Sequence, residues 1–149
     1  MIEPIGYVTG INISEVKGVI KKPIPCGKFI VDHGLEGDAH AGNWHRQVSL
    51  LAQESIDKMT LIGIKGLCSG KFAENITTSG VVLHELPVGT QVRMGETIQE
   101  VTQIGKECHK GCAIKVQVGK CIMPTEGIFT KIISGGLVNV GDPIYLESK

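Results

Sequence analysis

Glycine constrains this chain more than any other residue. Short runs of β-branched and aliphatic residues recur, and a glycine closes nearly every one. Val88-Gly89-Thr90 and Met94-Gly95-Glu96 bracket Gln91-Val92-Arg93, and Thr97 to Ile104 follows. Gly135-Gly136, Leu137-Val138-Asn139-Val140, Gly141-Asp142 and Pro143-Ile144-Tyr145-Leu146 repeat the same strand–turn–strand pattern. With 20 glycines and only 4% aromatic residues, the composition suits many tight turns joining short strands. Val92, Met94 and Ile98 keep one parity and Val101 breaks it, which predicts a bulge near Val101.

The first half reads the same way. Ile5 to Ile13 is a glycine-punctuated strand. Val19 to Pro25 is extended, because each proline turns its predecessor away from helix. Lys28 to Val31 and Gln47 to Leu51 are further strands, and Gly34 to Gly42 is loop. One segment differs: Gln53 to Met59 carries Ile56 and Met59 three apart, a helical spacing, and Gly63 and Gly66 would stop it. Phe72 to Thr78 returns to β-branched residues. The expectation is a single domain over 1–149, mainly β: a barrel of short strands with small helical insertions. At this length a chain buries roughly 68–70% of its unfolded surface, enough to fold without disulfides or metal.

The charge balance narrows the partners. Lysine plus arginine equals aspartate plus glutamate at 15 each, and the basic residues are scattered apart from Lys21-Lys22. No electrostatic footprint for nucleic acid or an anionic membrane results. No apolar run approaches the ~20 residues of a membrane helix, and the first residues carry no basic leader before an apolar core. Five cysteines, an odd number, fit reduced thiols in a cytoplasm better than a disulfide framework.

Chemistry concentrates in Lys106-Glu107-Cys108-His109-Lys110-Gly111-Cys112. Lys106, Lys110 and His109 surround two thiols with positive charge, which favours the thiolate, the nucleophilic and metal-ligating form. The plainer reading is two small buried hydrophobes flanking a turn. Zinc is the competing metal: Cys108 and Cys112 make one pair, Cys121 a third sulfur, and His40 and His45 imidazoles, but no second tight pair completes the usual pattern. A second candidate is Gly37-Asp38-Ala39-His40, followed by His45-Arg46-Gln47. There glycines admit an anion to the backbone, and Arg46 can fork onto phosphate or carboxylate. Against it stands a solvated loop with an Asx turn at Asp38. In Glu74-Asn75 the amide suits the edge of a heterocycle, or simply opens a strand. The P-loop and dinucleotide glycine patterns are absent.

Taken in order, these motifs resemble the MOSC domain family, named for the C-terminal domain of molybdenum cofactor sulfurase. The matching residues are Gly37-Asp38-x-His40, His45-Arg46-Gln47-Val48-Ser49-Leu50-Leu51, Phe72-Ala73-Glu74-Asn75-Ile76-Thr77, Leu86-Pro87-Val88-Gly89-Thr90, Gly105 to His109, Cys112-Ala113-Ile114 and Gly141-Asp142. The resemblance runs from about Gly6 to Leu146. It implies a cytoplasmic β-barrel that binds the molybdenum cofactor, a pterin with a dithiolene-bound metal and a phosphate, or carries sulfur to it. By the same resemblance Cys112 is the first candidate for the reacting thiol and molybdenum ligand, and Cys108 the second. Lys106, His109, Lys110, Arg46, Gln47, Ser49, Asn75, Glu74 and His40 are the expected cofactor-binding residues. The partners it implies are the cofactor or its precursor, a sulfur donor or electron-transfer protein, and a second copy of the chain. Part of a molybdenum-dependent reductase is a further role it allows, although the extra barrel domain of larger relatives has no counterpart here. The rival is a small zinc- or metal-binding structural module without cofactor chemistry.

Overall fold

The computed structural model describes residues 3–16, 21–61, 74–105 and 126–148. Its strands are β1 (Gly6–Ile13), β2 (Lys22–Ile24), β3 (Cys26–Ile30), β4 (Gly34–Leu35), β5 (Val48–Ala52), β6 (Ile76–Ser79), β7 (Gln91–Met94), β8 (Thr97–Ile104), β9 (Ile128–Ser134), β10 (Gly136–Asn139) and β11 (Pro143–Ser148). Helix α1 (Gln53–Leu61) follows β5 directly, and a 3-10 turn covers Leu83–Glu85. Strand therefore far exceeds helix among the described residues, as the glycine-punctuated sequence implies. None of these helices is long and apolar enough to cross a membrane.

Seven strands run in the order β11-β7-β8-β9-β5-β6-β1, and a β1–β11 pairing closes them into a barrel. Closure removes the unpaired edges that an open sheet of this size would expose. The β5–β6 pair is parallel, with Leu50 opposite Ile76, and α1 lies against both strands. A parallel pair needs a crossover, and the chain between β5 and β6 supplies it. Strand β2 extends the wall from the far end of β1, and β10-β3-β4 form a separate small sheet. The barrel interior is filled by Val8, Ile11, Val48, Leu50, Ile76, Met94, Val101, Ile128, Ile132 and Ile144, with Phe29, Leu35 and Val138 joining from the small sheet.

Strand parity in β8 departs from the sequence reading. The β7–β8 hairpin sets Met94 opposite Thr97, so the buried residues of β8 are Thr97, Gln99 and Val101, while Ile98 is half-buried. Val101 is therefore in step with its neighbours. Polar side chains occupy inward positions because they satisfy one another: Thr130 donates to Gln99 Oε1 at 2.7 Å, Gln99 Nε2 to Thr97 Oγ1 at 3.1 Å, and Thr97 Oγ1 to the Met94 carbonyl at 2.7 Å. The register shift expected near Val101 is present between Val101 and Gln103, where β8 pairs with β9. The Gly34 to Gly42 stretch, read as loop throughout, begins with the two-residue strand β4. Strand β6 begins at Ile76, while Phe72, Ala73, Gly63 and Gly66 lie outside the described residues.

Candidate functional site

Successive side chains on a strand point to opposite faces. Val48 and Leu50 of β5, Ile76 of β6 and Ile11 of β1 belong to the barrel core. Their neighbours Ser49, Asn75 and Asn12 must then face outward, yet each is buried, Asn75 to 1% and Asn12 to 0% exposure. These three form a row across adjacent strands. Asn75 Oδ1 accepts from the Ser49 backbone N–H at 3.1 Å and the Ser49 hydroxyl at 3.2 Å, and Asn75 Nδ2 donates to the Asn12 carbonyl at 3.3 Å. Asn12 Nδ2 in turn reaches Thr77 Oγ1 at 3.4 Å, and Thr77 donates to the buried Glu74 carboxylate at 2.9 Å. The polar atoms of Asn75 and Ser49 are thus turned into the wall itself.

Against this row lies a buried ion pair. Lys21 Nζ sits 2.7 Å from Asp38 Oδ1, with both side chains fully buried. Lys21 also donates to Ser14 Oγ at 3.3 Å and meets His40 Nδ1 at 3.2 Å. Asp38 accepts from the Ser14 backbone N–H at 3.1 Å and from the His40 backbone N–H at 3.1 Å. The second bond is the Asx turn expected of Gly37-Asp38-x-His40, but the aspartate is buried and charged instead of solvated. Burial alone would push the Asp38 carboxyl up. The Lys21 ammonium, the Ser14 N–H and the Asn75 amide outweigh that and hold it below its ordinary value.

The loop continues from His40 into a second cluster. Trp44 Nε1 donates to the His40 carbonyl at 3.0 Å, and the Trp44 ring stands edge-on to His45. His45 Nε2 at 3.1 Å and Arg46 Nε at 3.0 Å converge on Gln103 Oε1 of β8. An amide oxygen only accepts, so both nitrogens carry hydrogen. Thr102 Oγ1 closes on the His45 carbonyl, and the Arg46 guanidinium lies 5.2 Å from the Phe129 ring centroid. Among the described residues no hydrogen bond engages the two terminal nitrogens of Arg46. Among the described residues the Arg46 fork is therefore oriented and unspent. Gln103 Nε2 donates to the Gly105 carbonyl at 2.8 Å, and the Gly105 N–H meets the Gly127 carbonyl at 2.6 Å. Gln103 thereby joins Arg46 to the point where the chain leaves β8 toward Lys106. At the return, Glu126 accepts from Ser55 at 2.6 Å and from Lys58 at 2.9 Å, both on α1. Burial would raise the Glu126 carboxyl, and Ser55, Lys58 and the charge of His84 bring it below its usual range.

Gln47 stands apart from both clusters. Its Oε1 accepts from the Ile132 backbone N–H at 3.0 Å, fastening the start of β5 to β9. Gly34 packs so closely on it that a Cβ there would lie 2.5 Å from the Gln47 carbonyl oxygen. Of the expected site residues, then, His40, Ser49, Asn75 and Glu74 gather with Asp38 and Lys21. Arg46 sits beside them with His45, and Gln47 fastens strands. Lys106, Cys108, His109, Lys110 and Cys112 lie outside the described residues.

The family model described as MOSC domain matches residues 36–145. The chain belongs to the MOSC domain family. Bacillus subtilis YflK, an uncharacterised protein, is 22% identical to it over 142 residues. That alignment takes in 89% of this MOSC chain, which spans only 64% of the length of YflK. Bacillus subtilis YuaD superposes over the full length of both chains with a TM-score of 0.80 at 18% identity. Escherichia coli YiiM superposes over 98% of this chain and 71% of its own, with a TM-score of 0.70 at 20% identity. These structures share the fold of this chain.

Sequence reasoning missed Lys21, Ser14, Asn12 and Gln103. Lys21 and Lys22 read alike, yet Lys21 is 2% exposed and Lys22 is on the surface. Asn12 and Ser14 alternate with Ile11 and Ile13, the pattern of a solvated strand face. Only the tertiary fold covers that face.

Proposed function

We propose that this MOSC protein binds the molybdenum cofactor or a precursor of it, or delivers sulfur to it, in the cytoplasm, with the Cys112 or Cys108 thiolate as the reacting atom. The observation that carries the reading is Arg46. Its Nε is spent on Gln103 and, among the described residues, its terminal nitrogens are not, so a fixed fork is offered to an oxyanion such as the cofactor phosphate. The same Gln103 holds Gly105, one residue before Lys106 and three before Cys108. Gln103 thus links Arg46, which would take the phosphate, to the start of the segment that carries the thiols. In this reading Asn75, Ser49, Glu74 and Gln47 serve the ligand by keeping the wall rigid, and Lys106, His109 and Lys110 keep the thiol ionised.

The bound cofactor would supply the metal and its redox chemistry. The chain's own contribution as a carrier is sulfur exchange. A thiolate attacks the outer sulfur of a donor persulfide, R–S–SH. A new S–S bond forms to the cysteine, the donor S–S bond breaks, and the donor leaves as R–S⁻, so that Cys–S–SH remains.

The test is purification from a host that makes the cofactor, followed by oxidation and pterin fluorescence, metal analysis and intact mass. Pterin with molybdenum, or a mass increased by one sulfur that disappears in C112S or C108S, supports the proposal. R46A should reduce the bound pterin by ten-fold or more, since a bidentate charged contact contributes about 1.5–3 kcal/mol. One zinc per chain, with neither pterin nor persulfide, would establish the structural-module rival instead.

A further inference from the structure

Among the described residues, strand β10 is the longest open edge of the fold. The main sheet closes on itself, β4 has two residues, and β2 has three with Pro23 in the middle. Strand β10 has four residues and pairs only with β3. Backbone groups along a paired strand alternate in direction. The Val140 N–H, just past the strand, meets the Pro25 carbonyl at 3.0 Å, so that parity faces β3. Leu137 and Asn139 therefore turn their N–H and C=O groups to the open side, where a bare edge would await another chain. None of these four groups is bare. The Leu137 N–H donates to Glu96 Oε1 at 2.9 Å, and the Leu137 carbonyl accepts from the Glu96 N–H at 3.0 Å. The Asn139 N–H donates to Asp142 Oδ2 at 2.8 Å, and the Asn139 carbonyl accepts from the Asp142 N–H at 3.0 Å.

Each acidic residue thus supplies one N–H and one oxygen, as a residue of a neighbouring strand would. Glycines admit both of them: a Cβ at Gly136 would lie 2.6 Å from Glu96 Cβ, and one at Gly95 would lie 2.6 Å from Asp142 Oδ2. Asp142 belongs to the Gly141-Asp142 motif, for which the candidate site has no use. We infer that Glu96 and Asp142 close the β10 edge against strand addition by a second copy of this chain. The edge itself selects that occupant. A strand laid antiparallel to its own copy about a two-fold axis is self-complementary. Leu137 and Val140 are both exposed beside the edge, and pairing would cover them. A short strand flanked by exposed apolar side chains is the kind of edge that associates unless something blocks it. Here the block is two carboxylates bonded to the very N–H groups that a second strand would need. A second copy that joins this chain must therefore use another surface. The inference is independent of the function proposed above.

The test combines sedimentation velocity with amide hydrogen exchange, on the full chain at neutral pH. In the wild type the Leu137 and Asn139 amides should exchange slowly at every protein concentration. In dilute E96A/D142A both should exchange about ten-fold faster or more, since each has lost its acceptor. On concentrating that variant, its sedimentation coefficient should rise above that of the wild type at the same concentration. The two amides should then slow again, which places the new contact on β10. E96Q/D142N keeps an amide oxygen at each position and should behave as the wild type, separating the bonds from the charge. Fast exchange of these amides in the wild type, no association of folded E96A/D142A beyond that of the wild type, or E96Q/D142N associating as strongly as E96A/D142A would each overturn the inference. Should E96A/D142A fail to fold, E96A alone decides. Its Leu137 amide should speed up while Asn139 stays slow, and an unchanged Leu137 amide would overturn the inference.

Discussion

At the scale of single residues, the buried Asp38 sets the acid limit of the site. Its carboxyl is held below the ordinary value in the folded state, chiefly by Lys21 against the opposing effect of burial. A depressed carboxylate contributes stability that is fully present above the unfolded value, about 3.9, and is lost as pH falls through the lower folded one. The thermal midpoint should therefore fall as pH is taken below about 4, and a D38N/K21M double variant should lack that component of the fall. D38N alone should be the worse variant at neutral pH, by about 3–5 kcal/mol, because it leaves the Lys21 charge buried and unpaired. Urea denaturation of the two variants against wild type measures this. A D38N protein no less stable than the double variant would show that Lys21 escapes to water when its partner goes. Legibility at this scale was mixed. Asp38, His40, Arg46 and Asn75 stand out in sequence as a set, although each alone also fits a turn or a strand start. Lys21 does not, since nothing local distinguishes a lysine that will be covered from one that will not.

Individual elements were largely legible where a glycine ends them. The hairpin β7–β8 turns at Gly95-Glu96, and Gly95 has φ +57° while Glu96 stays out of the left-handed region. A positive φ at only the first of the two turn residues is the II′ pattern, which matches the twist of the flanking strands. Gly95 also lies under a close approach: a Cβ there would be 2.6 Å from Asp142 Oδ2 and 2.8 Å from the Leu137 carbonyl oxygen. Gly89 has φ +97° but no heavy atom within 4 Å of such a Cβ. G89A should then cost only the conformational term, about 1–2 kcal/mol. G95A should cost more, since the turn that packs on β10 must also move. Chemical denaturation of the two variants separates the contributions, and equal losses would mean that the neighbours of Gly95 yield freely. What failed at this scale was the facing of β8. The alternation rule assigned Ile98 to the core because isoleucine is apolar, whereas the Met94–Thr97 pairing assigned Thr97 and Gln99. Their hydrogen bonds to Thr130 and to each other are cross-strand facts that no window of sequence contains.

For the whole molecule, a barrel of short strands could be read from turn spacing, but the order of the strands and the place of closure could not. Closure depends on β1, which pairs with β6 along one edge and is shared between β11 and β2 along the other. The sharing leaves the β1–β11 seam short. Gly6 faces Ile144 and Tyr7 faces Pro143, whereas β8 and β9 align six residue pairs from Ile98 to Ile104. Pro143 has no N–H to give to the seam, whose flanking backbone bonds include Ile5 to the Ile144 carbonyl, Val8 to the Asp142 carbonyl and Gly141 to the Val8 carbonyl. Native proteins open first where few bonds and little buried apolar surface must be given up together. The barrel should open at this seam before it opens between β8 and β9. In native-state hydrogen exchange, the amides of Ile5, Val8 and Gly141 should exchange at a lower free energy than the amides bonded between β8 and β9. The seam also lies on the strand that carries Asn12 toward Asn75 and runs on toward Ser14, so its opening should loosen the outer polar row while the β8–β9 ladder persists. Exchange of the Asn12 amide, which is bonded to the Asn75 carbonyl at 2.7 Å, reads that coupling directly. If the seam amides prove as protected as those bonded between β8 and β9, the barrel opens as one unit and β1 is no weaker than the rest of the wall.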